Sequence, residues 1–576
     1  MKNKKIITIL IGILFATTLM PNTLHAKDLV PTLGELNPEY VEYMKSKSKP
    51  MMMGKEPSVN YGLIPEPYII QRSPDNYGMQ TYGAGHPTQF DLRTVEGGSK
   101  VSSVKDQGQE GACWAFASYG ALESYLMPGG EMDFSENNMK NKHGFDSTSG
   151  GNRGMSTAYL ARGNGPVLEG DDEYTEGVNN SPEGRLPVQK RLTNALYLPN
   201  RTNSTDNDVI KSALQTYGAV QTSYYSETAC YTEDNKSYYY SGSETETNHA
   251  VTIVGWDDNY SKENFGTTKP TKDGAFIVKN SWGDLWGQGG YFHVSYEDKL
   301  IGSNNAVYIV EDMGEVDNIY QYDPLGMTGS FGYGEATGWF ANVFTSSNKA
   351  ENLTEVGFFV RGDNSDYVVF VNTDYKGVSD LNSCVEVARG EVAIAGYHTV
   401  KFTAPQSIPA NNKFAVIVRI TTPESIRPIP SESPVGGYTS QAKAGAGQSF
   451  VSSDGSSWSD ITTTIYKGET KPSEKTENTN VTLKAFTTNV DTEDYTGNVY
   501  TKDGKIFQTG DDMILNPEYR KTVTDNKIDY LYGYGNQLYE MMDAEKAYED
   551  TNQDMTEFKD EIIKKKPALA DVINNN

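Results

Sequence analysis

A single cysteine at the start of an apolar, helix-forming segment most constrains what this chain can fold into. Residues 104–116 read Val-Lys-Asp-Gln-Gly-Gln-Glu-Gly-Ala-Cys-Trp-Ala-Phe, and residues 114–126 are apolar on most sides, which predicts a central buried helix. Cys113 then lies at a helix N-terminus, where free N–H groups and the helix dipole lower a thiol pKa. A lone cysteine is usually a small buried hydrophobe, but the glycine-rich approach to this one is typical of a nucleophile.

A thiolate nucleophile needs a base, and the base needs a group that orients it. His249, one of only six histidines, opens an apolar run at residues 250–256, which predicts a short buried strand. A second predicted strand, at residues 276–278, runs into Lys-Asn-Ser-Trp-Gly and so places Asn280 at its end. A polar residue at each strand end, flanked by Gly and Trp, is typical of a site assembled from separate elements. The other histidines have no partner pattern and are expected to be structural or solvated.

Three motifs, in this order, resemble those of the papain family of cysteine peptidases. They are Gln-Gly-x-x-Gly-Ala-Cys-Trp-Ala-Phe at residues 107–116, Asn-His-Ala-Val at residues 248–251 and Lys-Asn-Ser-Trp-Gly at residues 279–283. The resemblance covers about residues 87–310, a little under half of the chain. It implies an α+β endopeptidase with a helical lobe, a β-barrel lobe and an active-site cleft between them.

The resemblance also implies a role for each catalytic residue. Cys113 attacks the scissile carbonyl, and His249 forms an ion pair with the thiolate and later protonates the leaving amine. The side-chain carbonyl of Asn280 accepts a hydrogen bond from the other imidazole nitrogen and orients the ring. The side-chain amide of Gln107 and the backbone N–H of Cys113 donate to the oxyanion, and one such donor contributes about 3 kcal/mol in the transition state.

Four further residues are implied in substrate binding. A glycine before the nucleophile lets substrate backbone approach because it has no Cβ. A glycine pair hydrogen-bonds extended substrate, and an indole shields the histidine–asparagine hydrogen bond from water. In this sequence these residues are Gly111, the pair Gly150 and Gly151, and Trp282.

The sequence departs from the family pattern at two points. Glu110 and Ser149 stand where many members carry the cysteines of a disulfide, which indicates a bacterial branch. The helical inhibitory pro-region common in the family is not recognisable, which leaves autoinhibition by residues 27–86 in doubt. The remaining thiols, Cys230 and Cys384, lie in different predicted domains and are expected not to pair with each other.

The N-terminus has the pattern of a secretory signal peptide. Three lysines precede the apolar run at residues 6–19, and Ala26 follows at a plausible cleavage point. An uncleaved anchor is the alternative, but the run is shorter than the ~20 residues that span a bilayer. We therefore expect residues 1–26 to be removed and the mature protein to be secreted or on the cell surface.

Residues 27–86 are polar, proline-rich and irregular. They are expected to be a leader or pro-segment that packs on another part of the chain, with a flexible spacer as the alternative.

After a predicted peptidase domain at residues 87–312, the pattern becomes β-type. Short apolar runs separated by Gly- and Ser-rich turns predict an all-β sandwich over residues 313–490. It resembles the lectin-like modules that follow papain-like domains in some bacterial surface peptidases. Glycan, wall or partner binding and a purely supporting role both remain open. Residues 491–576 are charged and Tyr-rich, with a predicted helix at residues 538–566. The apolar runs of the predicted sandwich lie at residues 356–360, 367–371, 398–402, 414–420 and 481–486.

Charge and composition exclude several classes of protein. With 76 acidic against 50 basic residues, the net charge is -26, which argues against nucleic-acid binding and against docking to anionic lipid. Three cysteines rule out a disulfide-dense scaffold. No residue spacing indicates a metal site, and we expect no cofactor.

The sequence therefore predicts a secreted cysteine endopeptidase, made as a precursor, that acts on protein or peptide substrates. Two alternatives remain: a surface adhesin that keeps the papain fold as an inactive scaffold, and a thiol acyltransferase that uses the same acyl-enzyme.

One further expectation concerns stability. Glu123 lies inside the predicted buried helix, so we expect it to be bonded to Lys279, Lys105 or a backbone N–H, linking the two lobes.

Overall fold

The structure is a computed structural model. It describes residues 31–47, 61–73, 85–314, 316–463, 465–466, 474–490, 499–502 and 505–508. The predicted signal peptide and the predicted helix at residues 538–566 lie outside the described residues.

The elements follow one another along the chain in four groups. The first comprises β1 (Thr32–Leu33), α1 (Pro38–Lys47) and β2 (Gln89–Asp91), and a helical group follows with α2 (Cys113–Leu126), α3 (Glu136–Lys142) and α4 (Arg153–Ala161). The third contains β3 (Arg191–Tyr197), α5 (Asp208–Tyr217), β4 (Val220–Tyr224), β5 (Tyr231–Thr232), β6 (Ser237–Tyr238), β7 (His249–Asp257), β8 (Ala275–Lys279), β9 (Tyr291–Ser295) and β10 (Ser303–Glu311). The last contains β11 (Asn318–Tyr320), β12 (Gly329–Gly332), β13 (Thr337–Thr345), β14 (Glu351–Val360), β15 (Ser365–Asn372), β16 (Val385–Val392), β17 (Gly396–Ile408), β18 (Lys413–Thr421), β19 (Ile429–Glu432), β20 (Ser449–Ser452), β21 (Ser459–Asp460), β22 (Ile465–Tyr466), β23 (Glu474–Lys475), β24 (Asn480–Val481), β25 (Leu483–Asn489), β26 (Val499–Lys502) and β27 (Lys505–Gln508).

Helix α2 is the buried helix that the sequence predicts. Its residues from Cys113 to Ser124 are all buried, so it has no solvated stripe, and it packs against β7 and β10. Gly120 allows the close approach to β7, because a Cβ there would lie 2.8 Å from the hydroxyl of Thr252. The hydroxyl of Thr252 in turn donates to the carbonyl of Ala117. The first residue of α2 is thereby held against the start of β7.

The third group forms the predicted β-barrel lobe. Its main strands run in the order β3, β10, β4, β7, β8 and β9, and these neighbours pair antiparallel. In this register His249, the first residue of β7, lies opposite Tyr224, and Lys279, the last residue of β8, lies opposite Thr252. The barrel encloses its own apolar core around Trp256 and Phe276.

The fourth group forms the predicted all-β sandwich. One sheet has the order β16, β15, β18, β13, β20 and β21, and a second contains β11, β25, β14 and β17. Apolar residues of both sheets, including Phe340, Phe358 and Val418, share one core. The second sheet does not stop at the sandwich, because Tyr397 of β17 pairs with Ala195 of β3 in the barrel. The two halves of the molecule therefore share a continuous sheet.

The segment before the peptidase half is more regular than the sequence analysis expects. Strand β1 pairs with β12 of the sandwich, and α1 begins where the side chain of Asn37 accepts from the N–H of Glu39. Asparagine followed by proline is a helix-start signal that the sequence analysis did not use. Tyr40 is only 2% exposed and packs edge-on against Tyr438. The expectation of an irregular segment is wrong here, but the expectation that it packs on other parts of the chain is confirmed.

Most described residues form one compact unit, and short stretches at residues 347–352, 409–411 and from residue 489 onward form a second. In the second unit, β26 and β27 pair as an antiparallel hairpin. Across the described ranges, no helix combines the length and apolarity needed to cross a membrane.

Candidate active site

The candidate nucleophile sits where the sequence predicts, at the first position of α2. Cys113 is fully buried, and the backbone N–H of Ala250 donates to its Sγ at 3.4 Å. Burial raises the pKa of the Cys113 thiol to about 12, although the N–H groups of Ala250, Trp114 and Cys113 itself act in the opposite direction. The expected lowering of this pKa is therefore wrong for the form described, because apolar burial outweighs the helix terminus.

The histidine and asparagine motifs meet as the sequence predicts. His249 Nε2 and Asn280 Oδ1 are 2.9 Å apart, and the indole of Trp282 stacks on the imidazole with centroids 4.9 Å apart and planes 13° apart. The same Asn280 oxygen accepts from the N–H of Ser281. Burial lowers the pKa of His249 to about 4, opposed by its hydrogen bond to Asn280. Both reactive groups are therefore neutral at neutral pH in this form.

Gln107 is buried beside these residues and is held in place by a residue that the sequence analysis did not single out. The hydroxyl of Ser281 donates to Gln107 Oε1 at 2.6 Å, and the Gln107 N–H donates to the Ser281 carbonyl. The side-chain amide nitrogen of Gln107 is then free to donate to two backbone carbonyls, that of Glu110 at 2.7 Å and that of Tyr61 at 3.2 Å. Ser281 lies inside the Lys-Asn-Ser-Trp-Gly motif, so its place beside Asn280 was the only sequence signal for it.

The N-terminal segment covers the site. The ring of Tyr61 lies 4.7 Å from that of His249 and 5.1 Å from that of Trp282. Tyr61 and Leu63 also pack on the apolar cluster that contains Cys113. The segment at residues 61–73 thus separates the nucleophile and the histidine from solvent. No pattern in the sequence identified Tyr61, because its position depends entirely on tertiary contacts.

Backbone pairing holds this segment along the predicted substrate-binding glycines. Leu63 pairs with Gly151 in parallel register, with the Gly151 N–H donating to the Gly62 carbonyl at 2.8 Å and the Ile64 N–H to the Gly151 carbonyl at 3.0 Å. Gly62 has φ +109° and lies against Gly111, so closely that a Cβ would come within 2.1 Å of the Gly111 carbonyl. Gly150 also packs against Gly62. All three predicted glycines therefore border the same stretch of the chain, residues 61–64.

The same segment is anchored on both halves of the molecule. On the peptidase side, Arg153 of α4 binds Glu66 through two hydrogen bonds, of 2.9 and 3.0 Å. On the sandwich side, Gln71 pairs with Gly362, and the guanidinium of Arg72 lies 3.0 Å from the carboxylate of Asp363.

The expectation for Glu123 is confirmed in burial and in two of its three named partners. Glu123 is 1% exposed, and its carboxylate accepts from Lys105 at 3.0 Å and from the N–H of Phe134 at 3.1 Å. The Lys279 ammonium does not bond to Glu123 directly; it donates to the hydroxyl and the carbonyl of Ser102 at 3.0 Å. The Ser102 hydroxyl donates to Glu123 at 2.5 Å. Ser102 therefore links the glutamate of α2 to the lysine of β8.

The expectation for Cys230 and Cys384 also holds. All three cysteines lie among the described residues and all are free thiols, so Cys230 and Cys384 do not pair. Glu110, which replaces a family cysteine, forms an ion pair with Lys140 and accepts from the N–H of Gly177.

Comparison with known proteins finds relatives for both halves of the chain. A model of the papain family cysteine proteases matches residues 86–310, and a model of the lectin like domain matches residues 319–487. The chain is 30% identical over 262 residues to pro-cathepsin H of Mus musculus, an alignment that covers 41% of this chain and 68% of that protein.

The chain belongs to the papain family of cysteine proteases.

Within this family, the chain resembles a solved structure over most of its length. That structure contains the cysteine protease and lectin-like domains of Cwp84, described as a surface layer associated protein of Clostridium difficile. The identity is 26% and the TM-score 0.66, and the match covers 80% of this chain and 98% of the Cwp84 chain. Other curated relatives are matched over a smaller share of their own length. For example, gamete and mating-type specific protein A of Dictyostelium discoideum is 30% identical over 222 residues, which are 37% of this chain and 45% of that protein.

The comparisons with Cwp84 and with the two family models support the papain-like fold followed by a β-rich lectin-like domain.

Proposed function

We propose that this chain is the precursor of a secreted or surface-located cysteine endopeptidase that hydrolyses peptide bonds through Cys113, His249, Asn280 and Gln107. The observation that carries the proposal is the hydrogen bond from the Gln107 amide to the Tyr61 carbonyl, beside Cys113 and His249. A peptide carbonyl of the chain itself is the partner of the proposed oxyanion donor. The segment thus supplies a peptide group where the mechanism requires that of a substrate.

In the proposed reaction, the Cys113 thiolate attacks the scissile carbonyl carbon while the Gln107 amide and the Cys113 N–H donate to the developing oxyanion. The His249 imidazolium then protonates the leaving amine, which departs and leaves a thioester on Cys113. Water, deprotonated by His249, attacks the thioester, releases the new carboxylic acid and restores the thiol. Asn280 orients the imidazole through its 2.9 Å hydrogen bond, and Trp282 keeps water from that bond.

The precursor is latent in this proposal. With residues 61–73 in place, burial leaves the thiol and the imidazole neutral. Removal of the segment admits water and lets the thiolate and imidazolium form as a pair. The rate of the mature enzyme should then show a bell-shaped pH profile, and the apparent pKa values of its two limbs belong to the coupled pair of Cys113 and His249.

We extend the proposal to the whole chain as follows. Residues 1–26 are a signal peptide, residues 27–86 a pro-segment, residues 87–312 the peptidase domain, residues 313–490 the lectin-like domain and residues 491–576 a charged C-terminal segment. The description of Cwp84 as a surface layer associated cysteine protease with a lectin-like domain supports a cell-surface location and a carbohydrate or surface partner for residues 313–490.

The decisive experiment is hydrolysis of an unfolded protein by the purified, reduced chain after removal of the pro-segment, with and without prior alkylation by iodoacetamide. Activity that alkylation and Cys113→Ala both abolish, with an unchanged circular dichroism spectrum, supports the proposal. Full activity in Cys113→Ala would overturn the assignment of the nucleophile. Absence of hydrolysis together with glycan binding would favour the adhesin, and preferential capture of an added amine over water would favour the acyltransferase.

A further inference from the structure

A buried arginine borders the candidate cleft and has its carboxylate partner in the segment that covers the cleft. Arg153 is 5% exposed and Glu66 is 8% exposed. Arg153 Nε and Nη2 donate to the two carboxylate oxygens of Glu66, at 2.9 and 3.0 Å. This is the two-pronged geometry in which a guanidinium recognises a carboxylate most specifically.

Two other contacts of the Arg153 guanidinium come from the peptidase itself. Its Nη1 donates to the carbonyl of Asn305 at 2.8 Å, and its guanidinium lies 4.5 Å from the ring centroid of Tyr197. These contacts hold the guanidinium at one nitrogen and one face. Its Nε–Nη2 edge is the part that binds the N-terminal segment.

The arginine is close to the reacting groups. Arg153 follows Gly151, the residue paired with Leu63, by two positions. It also lines a cavity of about 40 Å³ with Ala250, whose N–H donates to Cys113 Sγ. Glu66 lines this cavity from the segment side. The other residues of the barrel that line it are Gln221, Thr222, Ser223, Glu246, Thr247 and Asn304.

We infer that Arg153 is a specificity-determining residue, which binds an acidic side chain of the protein substrate once Glu66 has left with the pro-segment. The inference rests on the proposed endopeptidase function. A buried guanidinium without a partner is strongly unfavourable, and an uncharged side chain cannot replace both hydrogen bonds. A glutamate of the substrate restores both. The pro-segment therefore covers a substrate site and also carries the side chain that the site selects.

The test uses the full chain with a site for a specific protease inserted at residues 74–84, which lie outside the described residues. The protein folds with the segment attached, is cut, and is then separated from the segment by gel filtration. The substrates are fluorogenic peptides in which one glutamate is moved through the four positions before the cleaved bond. Each peptide has a twin with glutamine at the same position, and kcat/KM is measured for every pair.

At one position, glutamate should be preferred to glutamine by at least about tenfold in kcat/KM. Arg153→Gln should remove this preference, while Arg153→Lys should retain part of it. Arg201→Gln is the matched control, because Arg201 is a partly buried arginine of the barrel lobe that donates to the carbonyls of Tyr296 and Ile301 instead. The Arg201→Gln enzyme should keep the glutamate preference of the parent.

Because the peptide pairs are measured on the parent enzyme, the result does not depend on whether Arg153→Gln folds. Peptides that are cleaved with equal kcat/KM for glutamate and glutamine at all four positions would overturn this inference and leave the proposed function intact. Cleavage of no peptide would overturn the proposed function, and this inference with it.

Discussion

The side-chain amide of Gln107 donates a 3.2 Å hydrogen bond to the backbone carbonyl of Tyr61. In the proposed mechanism this amide stabilises the oxyanion, so the contact occupies the donor that a substrate needs. The sequence analysis left autoinhibition in doubt because no family-like helical pro-region was recognisable. In the structure, coverage of the site depends instead on the non-helical stretch at residues 61–64 and its pairing with Gly151.

Displacing this stretch should expose the nucleophile. Gly62 has φ +109°, and a Cβ would lie 2.1 Å from the Gly111 carbonyl, so Gly62→Ala is strained and forces the strand away. In the full chain, alkylation of Cys113 by iodoacetamide, followed by mass spectrometry of the peptide that contains it, should be at least about tenfold faster than in the parent. Gly85→Ala is the control, since no atom lies within 4 Å of its Cβ position. Equal protection in the parent and in Gly62→Ala would show that the stretch does not shield the thiol.

Removing the buried carboxylate of Glu123 should destabilise the protein. Glu123→Ala leaves Lys105, the N–H of Phe134 and the hydroxyl of Ser102 without their shared acceptor, so we expect a loss of about 3–5 kcal/mol. The denaturant midpoint should be measured in the Cys113→Ala background, which prevents self-digestion. The exposed Glu96 provides the control, and Glu96→Ala should change stability by less than about 0.5 kcal/mol. A midpoint for Glu123→Ala equal to that of the parent would mean that the lobes are held together by other contacts.

A buried histidine should make stability depend on pH. The N–H of Phe145 donates to His143 Nδ1 at 2.9 Å, and burial, followed by the charge of Arg162, lowers the pKa of His143 to about 4. The pKa in the unfolded chain is about 6.5, so between these values the unfolded chain binds more protons. The contribution of His143 is therefore present above about pH 6.5 and is lost as the pH falls toward 4, by up to about 3 kcal/mol.

The measurement is the difference in unfolding free energy between pH 6.5 and pH 4, for Cys113→Ala with and without His143→Asn. Other groups titrate over the same range, so only the difference between the two proteins is informative. The asparagine variant should lose less stability on acidification. An equal loss of unfolding free energy in the two proteins would contradict the assignment of a buried neutral imidazole at residue 143.

Reductant should activate the enzyme without unfolding it. The cysteines at residues 113, 230 and 384 are all free in the structure, so the fold does not depend on a disulfide, whereas an oxidised Cys113 is inactive. After removal of the pro-segment, dithiothreitol should raise hydrolytic activity and leave the melting temperature unchanged. Thiol titration of protein that has not been reduced, under denaturing conditions, should find two or three thiols per chain, according to whether Cys113 is oxidised. One thiol or none would indicate a bond between Cys230 and Cys384.

The local signals of the sequence were sufficient for the elements that carry the site. The apolar segment after Cys113, the strand that begins at His249 and the strand that precedes Asn280 all form where the pattern predicts them. The five apolar runs predicted for the sandwich fall on β14, β15, β17, β18 and β24–β25 for the same reason, whereas other sandwich strands, such as β13 and β16, were not predicted. Helix and strand periodicity is a property of neighbouring residues and is therefore visible in the sequence.

Only the tertiary structure decided what covers and surrounds the site. Glu66 and Arg153 are 87 positions apart, and Tyr397 of the sandwich pairs with Ala195 of the barrel; no local period indicates either contact. The thiol pKa shows the same limit. The sequence alone determined that Cys113 would begin a helix, which favours the thiolate. The sulfur is nevertheless buried among Leu63, Ala117 and Ala250, and this burial raises the thiol pKa, because desolvation of a charge depends on every atom that excludes water from it.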